Sequence, residues 1–346
     1  MKLATLKSHG RDGKAGRDGK LVVVNRSLTQ YVDVPTIALT LQAVLDDWPT
    51  LAPALEGVYR RLNNDEEKNS KAFQSTQCLA PLPRAYQWVD GSAYAHYLEL
   101  VKKVKGGDIP NNFWTVPFMY QGGSDTMIGA HDAIEVITED FGIDFEAEIA
   151  VITDDVPMHV SLEQAPHHIR LIALVNDVTL RNLLPDELAK GYGFIQSKPA
   201  SSFSPVVVTP DELGEAWKDN KVNLPLITVY NGKLFGRPNA GTDMTFDFSK
   251  LVTHLAKTRQ LSAGTIIGSG TVSNQDSSIG SSCIAERRML EILARGDATT
   301  PYMRFGDHVS IEMFNNEGES IFGAIDQYVI EHAVSEEEVH YTSAFE

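Results

Sequence analysis

A chain of 346 residues, 42% hydrophobic and 22% charged, has ordinary globular usage and room for one large domain or a large domain with a small companion. Its net charge of −16 repels nucleic acid and anionic membrane surfaces at long range, so neither is expected as a partner. No run approaches the ~20 apolar residues of a membrane-spanning helix, and no long apolar segment of secretory type opens the chain. Cys78 and Cys283 are the only cysteines, which excludes a disulfide framework and fits a reducing, cytoplasmic setting.

Residues 1–83 read as a small β-rich N-terminal domain that also carries helices. Arg11-Asp12-Gly13-Lys14 recurs as Arg17-Asp18-Gly19-Lys20, and Asp-Gly pairs are hairpin chemistry, so a lengthened β-turn is expected. Leu21–Val24 reads as a buried strand, and spaced apolar positions from Thr36 to about Leu62 predict helices. Pro81-Leu82-Pro83-Arg84 marks the boundary to a catalytic domain over 84–335. There, apolar runs alternate with Gly, Pro, Asn and Asp, which predicts strands over Phe145–Thr153, Pro205–Val208, Leu226–Tyr230 and Thr265–Ile267. Val309–Phe314 and Ser320–Ala324 flank Asn315-Asn316-Glu317-Gly318, a hairpin signal. An acidic tail, 336–346, closes the chain.

The sharpest local pattern is Asp144-Phe145-Glu146-Ala147-Glu148-Ile149-Ala150-Val151. With a period of two, Phe145, Ala147, Ile149 and Val151 share one face, while Glu146 and Glu148 point together from the other. Two unit charges ~4 Å apart cost about 4 kcal/mol at an effective dielectric of 20. A cation, a raised pKa or exposure to water on a solvated edge strand each relieves that repulsion. Next, Leu171–Val175 is an unbroken apolar run followed at once by Asn176-Asp177. Asp177 at a strand end suits either a site carboxylate or a helix N-cap. Lys198 follows the glycines of Gly191-Tyr192-Gly193 and precedes Pro199, which favours an extended backbone, and it can serve as a fixed cation for a substrate carboxylate or enolate.

These are hard oxygen donors, which point to Mg²⁺ or Ca²⁺, with Mn²⁺ also compatible, and away from zinc or iron. His167-His168 lacks metal-ligand spacing and reads as surface. No Gly-x-Ser-x-Gly elbow, Walker A or dinucleotide glycine motif occurs. Gly268-Ser269-Gly270-Thr271 is a turn that can offer backbone N–H groups and the Thr271 hydroxyl to an anion, or simply a β-turn.

Taken together, and in this order, several segments resemble the fumarylacetoacetate hydrolase family, in particular its fumarylacetoacetase-type members. They are Asp90 in Trp88-Val89-Asp90-Gly91-Ser92, Pro117-Phe118-Met119-Tyr120-Gln121-Gly122-Gly123, the Glu146/Glu148 pair, Asn176-Asp177, Lys198, Gly270-Thr271 and Met289-Leu290-Glu291. The resemblance covers about Ala85 to Ile330 well and the N-terminal part loosely. It implies an α+β, predominantly β fold, a mixed β-sandwich roll with a small β-rich N-terminal domain, assembled as a homodimer. It further implies a divalent metal on Asp90, Glu146, Glu148 and Asp177, and hydrolytic cleavage of a carbon–carbon bond in a β-diketo acid such as fumarylacetoacetate or an acylpyruvate. The departing carbanion would be a metal-stabilised enolate. Tyr120, Lys198 and Thr271 would orient this small-molecule oxo-acid substrate, and Arg181, four residues beyond Asp177, would meet a substrate carboxylate. In the family the water-activating histidine follows the first aspartate by seven residues. Here His96 follows Asp90 by six and Tyr97 takes the seventh place, a rotation of about 100° on a helix. The expectation is that His96 is nevertheless the base, paired with Glu291, with Glu286 a nearby competitor for that partnership. The alternatives are decarboxylation, hydration or isomerisation of a 2-oxo acid at the same site, or a catalytically silent metal-binding protein.

Overall fold

A computed structural model describes residues 1–8, 16–107 and 111–333. Arg11–Lys14 and the expected acidic tail lie outside the described residues. Among the described residues no helix is long and apolar enough to cross a membrane.

The chain is built around one long sheet that crosses the boundary expected at residue 83. Strands Lys71–Ala72, Gln30–Asp33, Lys20–Val24 and Lys2–Leu6 lie side by side, and Lys2–Leu6 pairs with Val207–Val208 of the second part. The sheet continues through Ile169–Asn176, Ala147–Thr153, Thr265–Gly268, Gln87–Gly91 and Met119–Gly122. The N-terminal unit is therefore joined to the rest by backbone ladders and not by a flexible linker.

Period-two alternation gives this sheet two different apolar faces. Phe145, Ala147, Ile149, Val151, Ile172 and Leu174 belong to one core. Their neighbours Ala150, Ile152, Leu171, Ala173 and Val175 belong to a second. The first core is closed by another sheet, ordered Lys233–Gly236, Leu226–Tyr230, His308–Met313, Ile325–Glu331 and Ile134–Val136, which makes the sandwich. The second is covered by the N-terminal helices Leu41–Asp46 and Trp48–Asn63 through Leu41, Val44, Leu55 and Leu62. Burial of roughly 1.5–3 kcal/mol per large aliphatic side chain holds the two parts together.

Strand positions follow the expected runs with three differences, the first being that Pro205–Val208 shortens to Val207–Val208. The run expected over Phe145–Thr153 is a strand only from Ala147, with Ile143–Asp144 a separate short strand before it, because Glu146 bridges to Cys283 instead of continuing the ladder. The C-terminal hairpin pairs His308–Ile311 with Ile325–Tyr328. Ser320 only bridges Phe314, so the connecting segment is longer than the Asn315–Gly318 turn.

Candidate active site

On three strands the face of the second core ends in a carboxylate. Trp88 is followed two residues on by Asp90, Ile152 and Ala150 lead back to Glu148, and Ala173 and Val175 lead to Asp177 just beyond the strand end. Ala147–Thr153 runs antiparallel to its neighbours, so its first residues lie level with the last residues of the others. The strand between Asp90 and Glu148 is Thr265–Gly268, and its position on this face is Gly268, paired with both Asp90 and Ala150. A Cβ on Gly268 would lie 2.3 Å from Asp90 Oδ1, so only glycine leaves room for the aspartate. Gly270, at φ +72°, passes so close to Gly91 that a Cβ would meet its carbonyl oxygen at 2.1 Å.

Asp90, Glu148 and Asp177 each offer a carboxylate oxygen within 4.8 Å of the others, and all three are buried. Both Glu148 oxygens are buried without a hydrogen-bond partner. Burial and then the charges of Asp90 and Asp177 push the Glu148 carboxyl well above its usual range. Burial followed by Asp177 raises Asp90 to about 8. Orphaned oxygens on a buried acid beside two more acids are costly unless a proton or a cation neutralises them, and an all-oxygen set suits a hard divalent ion. The triad therefore fits such a metal.

Glu146 is beside this triad but not within it. Its oxygens are held by Arg181 and by Lys198, the latter at 2.8 Å. Burial opposes ionisation, but the two cations outweigh it and hold Glu146 at about 2. Lys198 also reaches Asp177 Oδ2 at 2.5 Å, so it ties Glu146 to the triad. Burial works against its charge, yet Asp177 and Glu146 raise its pKa above the ordinary lysine value. Asp177 completes its bonds with Ser201 Oγ at 2.6 Å and with the Tyr120 hydroxyl, whose ring lies 5.3 Å from the lysine nitrogen. No helix starts at Asp177, so the carboxylate is spent on the site and not on a cap.

The lysine is placed by a residue that sequence reasoning did not single out. Glu187 accepts hydrogen bonds from the backbone N–H groups of Ile195, Gln196 and Ser197, which fold the loop directly ahead of Lys198. Its signal, an acid eleven residues before the lysine, has no distinguishing spacing. Asp144 is a second such residue. It accepts from Ile284 N at 2.7 Å and Ala285 N at 2.9 Å, caps the helix Ile284–Arg295 from a distance, and pairs with Arg181 Nε at 2.8 Å. Arg181 thus has its guanidinium engaged by Asp144 and Glu146, although it also faces the cavity.

A cavity of about 380 Å³, a usual size for a small-molecule site, opens onto Asp90, Glu146, Lys198, Tyr120, Thr271 and Arg181. The Gly-Thr turn contributes Thr271 to this wall, but the anion bound by Gly270 N–H is Asp90 itself, at 2.9 Å.

Two of the expected residues lie elsewhere. Helix Ala95–Lys105 turns Tyr97, Leu98, Val101 and Val104 toward the cavity at helical spacing, and Tyr94, the residue before the helix, lines it too. One residue earlier than Tyr97, His96 is rotated about 100° off that face. It sits with Glu99, 3.9 Å away, and burial lowers its pKa. The local backbone makes no shift to bring it in, and Tyr97 takes the place on the wall. Glu291 accepts from Thr299 N, Thr300 N and Thr300 Oγ1, so its carboxylate organises the loop after its helix. Glu286 is buried with Oε1 on Ser273 and Oε2 unpartnered, and burial raises it to about 7, but neither it nor Glu291 lines the cavity or touches His96. His168 pairs with Asp154 at 2.8 Å, away from the site.

Comparison with known proteins agrees with this architecture. Residues 87–330 match the family model described as fumarylacetoacetate (FAA) hydrolase C-terminal, and residues 1–84 match fumarylacetoacetase N-terminal domain 2. An uncharacterized protein of Archaeoglobus fulgidus is 28% identical over 155 residues, 45% of this chain and 58% of that protein, so the chain spans just over half of that relative. The oxaloacetate tautomerase YisK of Bacillus subtilis is 28% identical over 282 residues, 79% of this chain and 89% of that protein. Among solved structures, maleylpyruvate hydrolase from Sphingobium sp. SYK-6, also solved with manganese(II) and pyruvate, aligns with a TM-score of 0.63 at 15% identity. The alignment covers 96% of this chain and 100% of that one. Fumarylacetoacetate hydrolase from Exiguobacterium antarcticum aligns at 0.60 with 19% identity, covering 95% and 100%. At these identities the likeness shows the shared fold.

Proposed function

Because this chain belongs to the fumarylacetoacetate hydrolase family, we propose that it is a metal-dependent enzyme that interconverts the keto and enol forms of a 2-oxo acid. The observation that carries the reading is the make-up of the cavity: carboxylates, Lys198 and tyrosines face it, and among its described lining residues there is no imidazole. Hydrolysis asks for a base near neutral pKa within reach of an attacking water. Tautomerisation asks only for a stabilised enolate and a group that moves one proton.

A divalent cation on Asp90, Glu148 and Asp177 would polarise the 2-oxo carbonyl and favour loss of the neighbouring proton. Lys198, held by Glu146 and Asp177, sets a fixed positive charge where the enolate oxygen becomes negative. Thr271 offers a hydroxyl to the same end. Tyr97 lines the wall with a phenol that burial keeps protonated, and its hydroxyl oxygen accepts from Cys283 Sγ at 4.0 Å. In this reading its hydroxyl gives a proton to the substrate carbon on ketonisation and takes one back on enolisation. The tautomerase activity named for the Bacillus relative, and the manganese and pyruvate named with the Sphingobium structure, support this reading.

Carbon–carbon hydrolysis of a β-diketo acid is the second reading. The match of residues 1–84 to a fumarylacetoacetase N-terminal model favours it. A homodimer is proposed for either, supported by the exposed Tyr192 and Ile195 beside the lysine loop. The test is to mix Mg²⁺- or Mn²⁺-loaded protein with enol-oxaloacetate and with an acylpyruvate, and to follow enol absorbance, CO₂ release and products by NMR. Faster enol decay without cleavage or CO₂ is the expected result. Acylpyruvate cleavage establishes the second reading, CO₂ release a decarboxylase, and no change in any channel removes the catalytic reading altogether.

A further inference from the structure

Resting on the 2-oxo acid reading, we infer that the substrate carries a linear aliphatic chain, bound between three helices outside the acidic pole. The cavity changes character along its length. Beyond the carboxylates and Lys198, its walls are Leu98, Val101 and Val104 from Ala95–Lys105, Leu184 and Leu188 from Leu184–Lys190, and Ile292 from Ile284–Arg295. Helical spacing of three and four turns each set toward the same space. None of the six is fully buried by the protein, and Leu188 is 59% exposed.

Aliphatic surface left uncovered on three converging helices, continuous with a polar pocket for the head group, is complementary to an apolar chain attached to that head. The cations at this end offer a distal carboxylate little. Arg288 donates to the Thr300 carbonyl and lies 4.7 Å from the Tyr302 ring centre, and Lys105 is exposed at the end of its helix. The substrate class is therefore a 2-oxo acid with a tail of several methylenes, in preference to a short dicarboxylate.

Calorimetry on the Mg²⁺-loaded protein with pyruvate, 2-oxobutanoate, 2-oxohexanoate and 2-oxooctanoate tests this, with 2-oxoadipate as the carboxylate-ended control and unmodified hexanoate and octanoate alongside. Each buried methylene should tighten binding about fourfold, and 2-oxoadipate should bind more weakly than 2-oxohexanoate. Leu188→Asp, at a position exposed enough to tolerate it, should lower the ratio of 2-oxooctanoate to pyruvate affinity by at least about tenfold. A flat series, a ratio unmoved by Leu188→Asp, or tighter binding of 2-oxoadipate overturns the aliphatic subsite. If the plain fatty acids show the chain-length gain while the 2-oxo group adds nothing, the subsite stands and the 2-oxo acid reading falls.

Discussion

Replacing Glu148 by glutamine tests the metal assignment most sharply, because ligand and structural roles predict opposite signs. Glu148 is fully buried, and neither of its oxygens has a protein partner. A glutamine there keeps the shape, removes a desolvated acid, and can donate its amide to Asp90 or Asp177. In EDTA the variant should therefore be at least as stable as the wild type. With metal the order reverses. An ion at a hundredfold excess over Kd stabilises the wild type by about 2.7 kcal/mol. At about 2.1 cal/mol/K of unfolding entropy per residue, 346 residues give roughly 1.4 °C per kcal/mol, hence a rise of about 4 °C. Losing a direct ligand should weaken affinity by more than about 100-fold, the upper end of what partners outside the metal's own ligands contribute. At the same ion concentration the variant then gains only RT ln 2, about 0.4 kcal/mol. Thermal unfolding of both proteins, with EDTA and with Mg²⁺ or Mn²⁺, reads all four values. If Glu148→Gln is destabilised equally in both conditions and keeps the full metal-dependent rise, Glu148 is not a ligand.

Lys198→Met should lower turnover by about 10²–10³-fold, the usual effect of removing one group that stabilises developing negative charge, with metal affinity retained; equal losses in both would reassign the lysine to the metal site. Without metal it should also cost about 3–5 kcal/mol, since it strips a buried pair of its cation. His96→Ala should change kcat less than about twofold and leave the acidic limb of the pH–rate profile in place, because the imidazole is off the cavity face, whereas Tyr97→Phe should lower kcat by about 10²-fold or more; a large effect of His96→Ala would restore the histidine as base. Glu286 has a folded pKa of about 7, above its unfolded value of 4.5. It holds its proton in the folded state where the unfolded chain has lost it, so its contribution is fully present below pH 4.5 and is lost as pH rises toward 7, up to about 3 kcal/mol. Glu286→Gln should flatten the stability curve over that window, and denaturant titrations of both proteins at pH 4.5 and 7.5 measure the difference.

Legibility in the sequence followed the range of the interactions involved. Local periodicity determined the strands around Leu226–Tyr230 and Leu171–Val175 and the alternating faces of Ala147–Thr153, because side-chain direction along a strand depends only on parity. The segments resembling the family covered Asp90 and Asp177 at the same apolar-to-acidic transition. Which carboxylates converge was a matter of strand order. Asp90, Glu148 and Asp177 meet across neighbouring ladders, with Gly268 leaving the gap, whereas Glu146 is taken up by Arg181 and Lys198 from a loop folded by Glu187. His96 and Tyr97 show the limit most clearly. One residue is 100° of helix, and only the packing of Ala95–Lys105 against Ile284–Arg295 decides which of the two faces the cavity. Glu291 carries the right motif, yet its carboxylate is taken up by the backbone N–H groups of Thr299 and Thr300, which need an acceptor. Composition and parity are properties of the chain; convergence of charge is a property of the sheet, and it arises only when distant strands pair.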